Sequence, residues 1–176
     1  MHISQATQFA DQAERRSQGY WLLAKLFLEV PTAERLQALR DPEATAVDFT
    51  RCLVNVNKES GEALPFEAHV RERRLPGEAT EAMQLLSAEC GYADVAPEAA
   101  SPDHLGAELR LMALLCHDEC QAWQTGALDA AVASLRRQNR LLGKHLNNGR
   151  PTFARIWRSV RAMPMCRPWP GLQRRH

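Results

Sequence analysis

Apolar residues recur along this chain at steps of three and four, the period of a helix with one buried face. Over residues 8–29 they are Phe9, Ala13, Tyr20, Leu23, Phe27 and Val30, and Pro31 closes the run. Thr32 is placed to cap a short helix through Leu39. Asp41 and Pro42 repeat the cap-then-proline pattern before Val47, Phe49, Leu53 and Val54. The polar stretch 55–75, with Gly61 and Pro65, predicts a long irregular connection, and such connections are often functional. Ala79, Met83, Leu86 and Cys90 then mark a helix over 78–90, with Gly91 placed to end it. After a second loop at 92–100, the pattern predicts a helix over 102–124. Ser101 is its cap, Pro102 its first residue, and Leu105, Leu109, Met112, Cys116 and Cys120 its stripe. Beyond Gly126 another helix places Leu128, Val132, Leu135, Leu142 and Leu146 inward and stops at Asn147, Asn148 and Gly149. Phe153, Ile156, Trp157 and Val160 mark a last short helix. Alternating β-branched runs are nearly absent, LVNV at 53–56 being the best. The fold class expected is all-α, a single-domain helical bundle of roughly six or seven helices.

Composition changes this picture little. The chain has 176 residues, 45% apolar and 24% charged, as an ordinary globular domain has. No apolar run is long enough to span a membrane. Charge adds more. All 21 acidic residues lie at or before Asp129, so residues 1–129 carry a balance of −10 and residues 130–176 carry +11. An acidic body favours a basic partner and argues against nucleic acid, despite the arginine-rich last third. The alternative is that the two halves neutralise each other within the fold. Residues 163–176, MPMCRPWPGLQRRH, hold three prolines and no helical stripe. They read as a disordered or frame-shifted tail beyond a domain at 1–162.

No phosphate-binding glycine loop, nucleophile elbow or zinc-protease motif occurs. Three constellations remain. Asp103 and His104 stand side by side at the mouth of the 102–124 helix, and Glu108 is four residues further on, within reach of His104. A carboxylate there orients the imidazole and favours its protonated form, and the acidic group can accept a guanidinium fork. Pro65, Phe66 and Glu67 end the long connection, offering one apolar and one acidic contact to a peptide. Cys116, His117 and Cys120 could grip a metal on one helix face, but a structural zinc site needs a fourth ligand and the cysteines lie on the apolar stripe. Five cysteines without a framework suit a reducing compartment. Arg15 and Arg16 superficially resemble an export signal, but Lys25 and Glu29 interrupt the apolar run that follows. They read as exposed arginines on a first helix.

These segments together resemble the TorD/DmsD/NarJ family of redox-enzyme maturation chaperones. PDHLGAEL at 102–109 is similar to the family signature. RRSQGYWLLAKLFLEVP at 15–31, FTRCLV at 49–54, PFEA at 65–68, CGY at 90–92 and LLGKHLNNGRPTFARIW at 141–157 are similar to further elements, in the same order. Phe66 and Ala68 stand where the family has tyrosine and serine, and the resemblance leads one to expect that the family's final helices are lacking after about residue 162. The resemblance implies an all-α cytoplasmic chaperone, not an enzyme, with no cofactor of its own. Its partner would be the catalytic subunit of a molybdopterin oxidoreductase, met as signal peptide and apoprotein. Neither nucleic acid nor membrane insertion is implied, and the state is a monomer or a domain-swapped dimer. Pro102, Asp103, His104 and Glu108, with Pro65, Phe66 and Glu67, would form the leader-binding region. The alternative from another class is a small metal or redox module using Cys116, His117 and Cys120.

Overall fold

The computed structural model describes residues 3–29, 66–72 and 74–148. The elements expected between 30 and 65 and beyond 148 lie outside the described residues, as do Pro65, the LVNV run and the tail at 163–176. Five α-helices are described: α1 Ile3–Leu28, α2 Glu67–Glu72, α3 Glu78–Glu89, α4 Leu105–Thr125 and α5 Leu128–Leu141. A π-turn, Leu142–Leu146, continues α5. No strand occurs among the described residues; one isolated bridge pairs Phe66 with His104. The all-α class expected from the periodicity is the class observed. No helix among the described residues is long and apolar enough to cross a membrane.

α4 is the central element, with α1 along one side and α5 along another. Small residues bring α1 close. Ala10 and Ala13 meet Cys120 near the end of α4, while Ala24 and Phe27 meet Leu105 and Leu109 near its start, so the two helices run antiparallel. Between these contacts Ser17 donates its hydroxyl to the Ala113 carbonyl at 2.9 Å. Gly106 makes the approach possible, since a Cβ there would fall 2.6 Å from Leu28 Cγ. Met83 and Leu86 of α3, Leu111, Met112, Leu115 and Cys116 of α4, and Leu141 form the main core. The stripe expected on α3 is therefore the buried one, and Gly91 follows it with φ of 86°.

Three expectations need correction. First, α4 begins at Leu105 rather than Pro102, and its cap is His104, whose Nδ1 accepts the Gly106 amide at 3.0 Å. The bridge to Phe66 and the bond from the Glu67 amide to the Asp103 carbonyl (3.0 Å) hold this stretch extended, so the helix cannot start earlier. Second, α5 is turned. Ala131, Ser134, Gln138 and Leu141 face inward, while Leu128 (47% exposed), Val132, Leu135 and Leu142 face out. Hydrogen bonds decide the orientation. The Ser134 hydroxyl and the Gln138 amide both donate to the Leu115 carbonyl, at 2.5 and 3.2 Å. Third, Phe9 and Leu23 of the α1 stripe are exposed, as is Trp21, which lies under the Arg110 guanidinium, 5.3 Å from its ring centre.

Candidate functional site

The candidate site is the junction between residues 66–80, the start of α4, and the π-turn. Asp103 organises it. Its fully buried carboxylate accepts the Ala68 amide at 2.8 Å, the Thr80 hydroxyl at 3.1 Å and the Ser101 hydroxyl. Thr80 Oγ1 in turn accepts the Gly77 amide at 3.1 Å, so one carboxylate ties the start of α2 to the start of α3. A second carboxylate completes the link. Glu72 accepts the Glu78 and Ala79 amides at 2.8 and 3.0 Å, capping α3 from outside. Its carboxyl lies below the usual range, chiefly because of the Ala79 bond.

Phe66 packs edge-on against His104, with ring centres 5.1 Å apart. His104 uses its Nδ1 to accept the Gly106 amide at the start of its own helix. Glu67 has two partners: its Oε1 accepts from the Arg71 guanidinium at 2.8 Å, and its Oε2 lies 2.6 Å from Nδ1 of His145. Burial pushes the Glu67 carboxyl up, but the His145 and Arg71 bonds outweigh burial and hold it below the usual range. Glu108 shows the opposite balance. Its carboxyl is pushed well above the usual range, first by burial and then by the negative charges of Glu67 and Asp103.

Six of the seven candidate residues therefore converge, and Pro65 lies outside the described residues. Phe66, Glu67, Asp103, His104 and Glu108 are buried, and Pro102 is half-buried. A hollow of about 230 Å³ opens beside Pro102, lined by Ser87, Val95, Ala96, Pro97 and Ser101 among others. Sequence reasoning missed His145, Thr80 and Arg71. His145 lay inside a quoted segment, but nothing in a 3.6-residue period places it here. The π-turn does so, with the Asn147 amide bonding back five residues to Leu142 at 2.9 Å.

The alternative trio does not converge. Cys116 belongs to the main core, Cys120 packs on Ala10 and Ala13, and His117 is exposed, 3.9 Å from Glu14. Burial pushes both thiols up, away from the thiolate that metal binding needs. Arg16 is also not the free arginine expected, because it pairs with Glu119 at 2.5 Å.

The family model described as nitrate reductase delta subunit matches residues 17–155, most of the chain, and its range includes every element of the junction. The chain belongs to this family. The family is one of molybdoenzyme maturation chaperones, the group that the PDHLGAEL run resembles. No curated protein and no solved structure matches the chain. As a family member, the chain carries the signature segment where α2, α4 and the π-turn meet.

The Glu108 balance predicts a pH effect. Its folded carboxyl is raised above 4.5, so holding it ionised opposes folding as pH rises above that value. The groups facing it (Glu67, Asp103 and His145) are common to both proteins in a comparison with Glu108→Gln. Thermal melts with chelator present should therefore show the variant more stable than the parent at about pH 8, with the gap closing near pH 4.5. Equal melting temperatures throughout would contradict the assignment.

Proposed function

We propose that this protein is a cytoplasmic chaperone for the catalytic subunit of a molybdopterin oxidoreductase. It binds the partner's twin-arginine leader, its apo form, or both, until the cofactor is in place and the partner is released for export or assembly. Family membership supports the coarse reading. The observation that carries the finer one is the Glu67–Arg71 pair. A buried carboxylate at the signature junction already holds a guanidinium at 2.8 Å, and that guanidinium comes from a half-exposed side chain of the same short helix. Arg71 stands where a leader arginine would bind, so exchange of one guanidinium for another opens the site at little electrostatic cost. Asp103, His104 and Phe66 hold the junction in shape, and Pro102 borders a hollow of mixed polar and apolar lining that could take a side chain of the leader.

Calorimetric titration with twin-arginine leader peptides from molybdoenzymes of the same genome tests this. Micromolar binding is expected, and it should be lost when both arginines are changed to lysine. Removing the resident competitor should help, so Arg71→Ala should tighten binding, whereas Glu67→Gln should weaken it about ten- to a hundredfold, the worth of one charge-assisted contact. No binding by folded protein, or Arg71→Ala binding more weakly than the parent, would reject the exchange.

A further inference from the structure

Three side chains at the junction do more than pair. Among the described residues, Glu67, Glu108 and His145 each place one ligand atom within 4.8 Å of the others. They come from α2, α4 and the π-turn, and all three are buried. Glu67 divides its work, with Oε1 given to Arg71 and Oε2 turned to His145. The second observation is Glu108. It is 1% exposed, and its carboxyl points into the same cluster, beside the negative charges of Glu67 and Asp103. Buried carboxylates set this close together are costly unless something positive or a proton meets them.

We propose that Glu67, Glu108 and His145 form a binding site for a divalent first-row transition ion, clasping α2, α4 and the π-turn together. Two carboxylate oxygens and one imidazole nitrogen are a donor set for zinc, manganese, iron or cobalt rather than for calcium or a thiolate-seeking ion. Charge agrees, since two carboxylates and a neutral imidazole balance one divalent ion and leave Arg71 its separate oxygen. Geometry asks for a small adjustment. Ligand bonds of about 2.1 Å set neighbouring donors roughly 3 Å or more apart, so the 2.6 Å contact between Glu67 and His145 opens by about half an ångström or more as the ion enters. This site does not depend on leader binding, because it uses the Glu67 oxygen that Arg71 leaves.

The test uses the full chain without an affinity tag, freed of metal by a chelator and titrated with Co²⁺ and then Zn²⁺. One equivalent of Co²⁺ is expected, with d–d absorption, no thiolate charge-transfer band, and paramagnetic shifts of the His145 ring signals. Zn²⁺ should displace it. Glu108→Gln, nearly the same shape, and His145→Ala should each lower affinity about tenfold or more, and Cys120→Ser should not. Uptake below about a tenth of an equivalent would mean that a proton rather than an ion joins the carboxylates. That outcome would overturn the proposal, as would a thiolate band or unchanged affinity in both variants. The cobalt spectrum of the unaltered protein decides the ligand type even where a variant does not fold.

Discussion

Asp103→Ala should cost about 3–5 kcal/mol of folding stability, the sum of the donors it strands at roughly 1–3 kcal/mol each. The carboxylate is fully buried and accepts one backbone amide and two hydroxyls, from Ala68, Thr80 and Ser101. The hydroxyls can turn to other acceptors, but the Ala68 amide is fixed by α2 and has nowhere to go. Typical domains have about 5–15 kcal/mol in total, so this one change removes a large share. Asp103→Asn is the informative control. Its amide oxygen can still serve Ala68 while its NH₂ faces hydroxyls able to accept, so about 1–2 kcal/mol is expected. Urea unfolding followed by circular dichroism measures both. A loss below about 1 kcal/mol for the alanine variant would mean the three donors find other partners. Leader binding by Asp103 variants is interpretable only in protein shown to be folded, because the residue builds the junction.

Glu119→Ala should be nearly as severe, about 3–4 kcal/mol, the usual result of removing one partner from a buried charged network. Its side chain is 4% exposed and accepts from three helices' worth of donors. Arg16 of α1 donates at 2.5 Å, Gln138 of α5 at 2.8 Å, and Trp123 of α4 itself at 3.1 Å. Arg16 is partly exposed and can turn to water, so the donors most affected are the second N–H of the buried Gln138 amide, which keeps its bond to Leu115, and the half-buried Trp123 indole. Arg16→Ala should therefore cost less than Glu119→Ala, and Glu119→Gln should fall between them. Melting temperatures of the three variants order them. Equal losses for Arg16→Ala and Glu119→Ala would make the ion pair, not the network, the source of stability.

Much of the helical frame was legible because the helices bury apolar residues at regular spacing, as Met83 and Leu86 do on α3 and Leu109 and Met112 on α4. What failed was orientation wherever polar bonds outrank apolar area. The apolar stripe of α5 faces out because Ser134 and Gln138 find the Leu115 carbonyl and Glu119. The start of α4 was misplaced by three residues because its cap depends on Phe66 and Glu67, far away in sequence. At the site, PDHLGAEL identified the family and Asp103, His104 and Glu108 as a group. The i,i+4 rule then paired Glu108 with His104, whereas the fold sets it beside Glu67 and His145. Local spacing lists which neighbours a helix offers, and long-range packing chooses among them.

The π-turn at Leu142–Leu146 gives the length of the chain a meaning of its own. A π-turn is an α-helix carrying one residue more than its period allows. Deleting a single residue ahead of His145 would restore a plain helix and swing the imidazole about 100° around the axis, away from Glu67. The reverse event, one codon inserted into an ordinary helix, suffices to bring a histidine to a buried carboxylate 78 positions away. The junction is thus set by a count of residues as much as by their kinds, and it is more vulnerable to a one-residue deletion in this turn than to most substitutions there.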